Sequence, residues 1–210
     1  MSTRGAKEWE KHCNFVIRYE NCLVPPNNNP VRVVFFGALG YFKGIRILET
    51  TAHMNMHNKG FFEFHFFGDK EQSFEPEKYG ITYHGKYDRS ELPTLLKEIA
   101  PSFSIIPSIG PETFCHALTE SWAAGIPVFA SDIGALRERI KRHGGGWLLN
   151  QNEPYSWYKK MLQIAENPIE YKQRMEEIKS MHFKSVREMT DEYCKIYADC
   201  LSLRKPTPTV

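Results

Sequence analysis

IIPSIGPETFCHALTESWAAGIPVFASDIGALRERI, residues 105–140, carries the end of one strand, a loop, a helix, a second strand and a second helix. Ser104, Ile105 and Ile106 form a short apolar run that stops at Pro107-Ser108, the pattern of a strand feeding a loop. Ala117, Leu118, Trp122 and Ala123 recur at helical spacing, Gly125 ends that helix, and residues 126–130 read as the next buried strand. Ala135 to Arg142 then follows as an amphipathic helix.

The same alternation extends outward in both directions. Residues 31–36 (VRVVFF) are a continuous β-rich run ending at Gly37, as expected of a strand buried on both faces of a parallel sheet. A loop, Gly37-Ala38-Leu39-Gly40-Tyr41-Phe42-Lys43-Gly44, leads into a helix marked by Ile45, Leu48 and Ala52. It is neither G-x-G-x-x-G nor G-x-x-x-x-G-K-[ST], so it supports neither a dinucleotide site nor a nucleoside-triphosphatase. Further strands are expected at 61–67, 81–84, 103–106 and 147–149, and a helix capped by Asp88 or Ser90 carries Leu92, Leu95, Leu96 and Ile99. Gly144-Gly145-Gly146 precedes a strand rather than a helix and is a connection. Pro154 opens a helix to about Glu166, and one further helix is expected over 169–203. The fold class is therefore α/β, a doubly wound, largely parallel sheet of about six strands, with ligands outside the carboxyl ends of the strands. Gly37, Lys43, Gly85, Tyr87 and Glu112 all fall at that edge.

Glu112 and Glu120 are eight positions apart. On one continuous helix they would lie within roughly 80° of a common face and about 12 Å apart along the axis. Thr113, Phe114, Cys115 and His116 between them would present unpaired amides and about half a positive charge, which suits a phosphate. The spacing suggests an anionic ligand flanked by hydroxyl groups. Taken alone the pair is better read as a solvated helix glutamate and a first-turn carboxylate favoured by the helix dipole.

Pro111-Glu112-Thr113-Phe114, Thr119-Glu120-Ser121, Ala124-Gly125-Ile126-Pro127-Val128, Asp132-Ile133-Gly134-Ala135 and Glu138-Arg139 together resemble the signature of family 4 (group 1) glycosyltransferases. The resemblance covers about Val31 to Leu149. It implies one half of a GT-B architecture, a Rossmann-like donor-binding domain that handles a nucleotide-diphosphate sugar, retains anomeric configuration and uses no metal or other cofactor. By the same resemblance Glu120 accepts the ribose hydroxyls and Glu112 the hydroxyls of the transferred sugar. Lys43, with Gly37, Gly40 and the residue 113–116 amides, faces the diphosphate, while Lys86 and Tyr87 lie along the base. The family usually carries an arginine in the loop where Ala38 stands, so one phosphate-facing charge is missing; Gly-Ala-Leu-Gly resembles a variant found in bacterial polysaccharide and O-antigen enzymes.

The organisation expected is a lead-in and linker over 1–30, with a short helix through 6–13, then a donor domain over 31–203 and a disordered tail at 204–210. The implied partners are the nucleotide-sugar donor and an N-terminal acceptor domain or separate chain, through which any peripheral membrane association would run. The competing reading is a non-catalytic nucleotide-sugar-binding subunit that works with such a partner, and a third is a nucleotide-sugar epimerase.

Composition is that of an ordinary globular chain: 210 residues, 41% apolar and 25% charged, with a net charge of +2 that argues for no nucleic-acid partner. No N-terminal run resembles a signal peptide and none approaches the ~20 apolar residues of a membrane span, so a cytoplasmic protein is expected. Five cysteines, Cys13, Cys22, Cys115, Cys194 and Cys200, without a C-x-x-C pair, are expected as reduced thiols. His53 and His57 have metal-ligand spacing on a helix but no third ligand nearby, and no metal is expected.

Overall fold

The computed structural model describes residues 30–58, 60–184 and 186–202. The expected helix over 6–13, the linker before Pro30 and the tail over 204–210 lie outside the described residues. Two compact units are present, one of residues 30–181 and one of residues 182–202.

In the first unit six strands form one parallel sheet: β1 Val31–Phe36, β2 Phe62–Phe67, β3 Ile81–Gly85, β4 Phe103–Ile106, β5 Val128–Ser131 and β6 Gly146–Leu149. Their order is β3-β2-β1-β4-β5-β6. Six helices connect and cover them: α1 Ile45–His57, α2 Leu92–Ile99, α3 His116–Ala123, α4 Gly134–His143, α5 Pro154–Ala165 and α6 Pro168–Ser180. The chain winds outward from β1 in one direction and from β4 in the other, so the switch point lies between these two strands.

The central strands β4 and β5 are buried on both faces because helices cover both, whereas the outer strands β2 and β3 expose Glu63, Thr82 and His84. Phe35 and Phe66 meet edge to face at 5.2 Å, and Phe129 lies 4.8 Å from Phe103 and 4.9 Å from Trp147. Trp157 on α5 is fully buried, and its Nε1 donates to the Asn150 carbonyl. Tyr158 beside it is buried against Phe62.

Asn55 pins the end of α1 to the start of β2. Its Nδ2 donates to the Phe62 carbonyl at 2.8 Å and its Oδ1 accepts from the Phe62 amide at 2.9 Å, both buried. Asn55→Ala strands a buried N–H and a buried C=O at once. It is expected to lower unfolding stability by about 2 kcal/mol, read from denaturant midpoints at constant slope; a loss below about half of that would show that water reaches these groups.

Three local expectations are corrected. β5 begins at Val128 rather than at 126, because Gly125 at φ 76° and the Ile126 amide, bonded to the Ser121 carbonyl, are still closing α3. α2 begins at Leu92; Asp88 instead accepts from the Ser90 amide and hydroxyl, while Glu91 accepts from the Asp88 amide, so these residues build the preceding turn. The single helix expected over 169–203 is two. Ser180 Oγ bonds back to the Glu177 carbonyl, Met181 turns extended and buries its side chain, and the next helix, α7 Val186–Ser202, starts after that break.

α7 belongs to the second unit. Within that unit, His182 faces Glu188 at 3.1 Å and Lys184 pairs with Glu192 at 2.6 Å. Met189, Tyr193, Ile196, Tyr197 and Leu201 are exposed along α7. Among the described residues no helix is long and apolar enough to cross a membrane.

Candidate functional site

A cavity of about 370 Å³ opens where β1 and β4 end. Its walls come from the β1 end (Phe35 to Ala38), the β4–α3 loop (Ser108 and Glu112 to Cys115), the start of α3, and Tyr87 and Arg89 of the β3–α2 loop. This is the crevice that a doubly wound sheet offers a ligand.

Lys43 closes a short 3-10 turn, Tyr41–Lys43, and Gly44 follows at φ 80° to start α1. From there Lys43 Nζ donates to Glu112 Oε1 at 2.5 Å. The same carboxylate oxygen accepts from Ser108 Oγ at 2.8 Å, and the Glu112 carbonyl accepts from the Ala135 amide at 3.0 Å. Glu112 is thus fixed at both ends.

Glu120 sits on α3 with only 9% of its side chain exposed, and its Oε1 accepts from Arg89 Nη2 at 2.7 Å. Burial raises the Glu120 carboxyl above the ordinary carboxylate range, while Arg89 and His116 pull the other way. Burial, aided by Glu120, pushes the Tyr87 hydroxyl up to about 12. The Cys115 thiol is pushed up to about 11, first by burial and then by Glu112, and so stays protonated.

The two glutamates do not share a helix. α3 starts at His116, because Cys115 takes a left-handed backbone (φ 65°, ψ 89°) and the 112–115 segment is a turn ahead of the helix. Their common exposure to one cavity comes from this turn and not from eight-residue helical spacing. Among the described residues, none of the amides of Thr113, Phe114, Cys115 and His116 has a protein acceptor outside α3.

Of the residues expected to form the site, Gly37, Lys43, Tyr87, Glu112, Thr113, Phe114, Cys115, His116 and Glu120 line this cavity. Gly40 and Lys86 do not. Gly40 abuts the Glu71 carboxylate, which accepts from the Tyr41 amide at 2.7 Å, and Lys86 pairs with Asp69 at 2.8 Å. Arg89 and Ser108 were not anticipated. Ser108 stood in plain view as the polar residue after a strand end, whereas Arg89 lay in a stretch that reads as a helix cap.

Two carboxylates, each holding a side-chain cation, and a turn whose amides have no acceptor among the described residues line one space. A ligand with an anionic centre and hydroxyls on either side can exchange with these pairs: its anion takes the cations and amides, and its hydroxyls donate to the freed carboxylates. Among the described residues no group of three or more His, Cys, Asp or Glu side chains is placed to hold a metal ion.

Solved structures share this fold. Sucrose-phosphate synthase from Thermosynechococcus elongatus superimposes with a TM-score of 0.63 at 18% identity, over 85% of this chain and 47% of that one. HepE from Anabaena, solved in complex with UDP, gives 0.57 at 16% identity, over 85% and 47%. The C-terminal domain of a glycosyl transferase group 1 family protein (LpcC) from Francisella tularensis gives 0.58 at 17% identity, over 70% and 82%. The chain therefore spans about half the length of the first two. No curated protein sequence matches it significantly. The family described as glycosyl transferases group 1 matches residues 24–181, three-quarters of the chain and all six strands. With a Rossmann-like sheet of the kind found in GT-B glycosyltransferases and the Glu112–Glu120 cavity at its switch point, the chain belongs to the group 1 glycosyl transferases.

Proposed function

We propose that the switch-point cavity binds a nucleotide-diphosphate sugar and that the protein transfers the sugar, with retention of configuration and without a metal, to a glycan or lipid-linked acceptor in polysaccharide biosynthesis. The observation that carries this reading is the pair of carboxylates, Glu112 on Lys43 and Glu120 on Arg89, either side of the open residue 113–116 amides. The binding of UDP by HepE, a protein of the same fold, supports the ligand class.

In this mechanism Glu120 accepts the ribose hydroxyls and Glu112 those of the sugar. The bond from C1 to the diphosphate oxygen breaks, the leaving diphosphate keeps the electron pair and takes the proton of the acceptor hydroxyl, and the acceptor oxygen bonds to C1 on the face the diphosphate leaves. Lys43 Nζ and the amides of the turn stabilise that growing negative charge, and the fixed carboxylates orient C1. Acceptor recognition is assigned to an N-terminal domain or partner chain.

A second reading, a nucleotide-sugar-binding subunit without turnover, is favoured by Ala38, an exposed methyl on the cavity wall where the family resemblance places an arginine. Incubation of the protein with UDP-, GDP-, dTDP- and ADP-sugars, with and without a lipid-linked glycan acceptor, separates the two. Release of nucleoside diphosphate with an α-linked product from an α-linked donor, followed by NMR, establishes the transferase. Donor binding with no release under either condition establishes the subunit.

A further inference from the structure

Arg139 lies on α4, outside the cavity lining, yet it is the side chain most engaged with the turn that lines it. Its Nη1 donates to the Phe114 carbonyl at 2.7 Å and to the Cys115 carbonyl at 3.1 Å, and its Nη2 donates to Thr119 Oγ1 at 2.8 Å. The guanidinium also covers the Phe114 ring, 4.3 Å from its centroid, and stands 5.2 Å from that of Trp122. Four of these five contacts converge on Phe114, Cys115 and Thr119, ahead of and within the first turn of α3.

The turn needs such a hold. Cys115 is one of two non-glycine residues with positive φ among the described residues, and its ψ of 89° lies beyond the ordinary left-handed well. A residue in that region persists only where its surroundings over-determine it. Peptide planarity turns the hold into a directional device. In a trans peptide the carbonyl of one residue and the N–H of the next point in opposite directions. With the Phe114 and Cys115 carbonyls drawn toward α4, the Cys115 and His116 N–H groups face away from it, and both residues line the cavity.

We propose that Arg139 is a positioning residue of the donor site: by holding the Phe114 and Cys115 carbonyls it aims the Cys115 and His116 amides at the donor's diphosphate. This rests on the donor reading above. Arg139 touches no ligand itself. Ala135 on the same helix holds the Glu112 carbonyl, so α4 fixes the sugar end and the phosphate end of the turn together.

The test uses R139K, which keeps the charge and loses the fork, in the full chain and beside C115G, whose glycine adopts positive φ unaided. Affinity is measured by calorimetry for whichever of UDP, GDP, dTDP and ADP the native chain binds best, and for the matching nucleoside. R139K should weaken the diphosphate about tenfold while nucleoside affinity moves less than twofold, and the diphosphate loss should shrink in the C115G background. Without ligand, N–H residual dipolar couplings of Cys115 and His116 should shift in R139K more than those of β1. Equal losses for diphosphate and nucleoside, or unchanged couplings, overturn the proposal. No diphosphate binding by the native chain would instead fail the donor reading itself, so the two failures are told apart.

Discussion

Gly44→Ala is expected to destabilise the protein by about 3–5 kcal/mol, roughly 6–20 °C in melting temperature for a chain of this length. Gly44 has φ 80°, and a Cβ built there falls within bonding-range overlap of the Pro107 carbonyl oxygen and carbon. Backbone cannot yield as a flexible side chain can, so the substitution combines the left-handed penalty with displacement of one main chain from another. The displaced segments are the start of α1 and the residue preceding Ser108, and Gly44 also follows Lys43 directly. Loss of fold stability should therefore accompany loss of the Lys43–Glu112–Ser108 arrangement. Gly37→Ala is the control: its φ is 123°, but nothing lies within 4 Å of a Cβ there, so it carries the conformational penalty alone. Equal losses for the two variants would contradict the steric account.

Glu120→Ala is expected to weaken nucleoside diphosphate binding by about tenfold to a hundredfold, the worth of charged hydrogen bonds to two ribose hydroxyls. Stability should behave differently. Because burial raises the Glu120 carboxyl, the folded state favours the protonated form. Its contribution is therefore best below the ordinary glutamate value and is lost as pH rises through the raised one, which leaves the ionised group no asset to the fold at neutral pH. Glu120→Ala should consequently lose binding with little loss of melting temperature. Ligand affinity should also fall on acidification, at a higher pH than for an ordinary glutamate, since a protonated carboxyl cannot accept from both hydroxyls. Glu120→Gln should abolish that acid limb. A variant that loses affinity only in proportion to stability would assign Glu120 to the scaffold.

The strands were legible because a parallel sheet covered on both sides needs mostly apolar, β-rich runs, and VRVVFF and FEFHFF are such runs, interrupted only by Arg32, Glu63 and His65. The glutamate pair was legible as residues but not as geometry. Nothing in Thr113-Phe114-Cys115 announces a left-handed residue, since no glycine or asparagine marks it. The turn owes its shape to Arg139, about 25 positions away in sequence. Arg89 was hidden for the same reason: its partner Glu120 is brought to it only when the β3–α2 loop and α3 meet over the sheet edge. Lys86 does not line the cavity because proximity to a strand end does not say which way a side chain leaves it, and its ammonium pairs with Asp69 of the neighbouring loop. Local pattern reports burial and period; long-range ion pairs and tertiary strain leave no local trace.

The central claim, that the switch-point cavity is a donor site, is tested most directly by calorimetric titration of the chain with UDP, GDP, dTDP and ADP, repeated on Glu120→Ala and Lys43→Ala. The account predicts that one diphosphate binds in preference to the others and that both substitutions weaken it by at least about tenfold. Binding of no diphosphate at millimolar concentration, or binding that both variants leave unchanged, would contradict it.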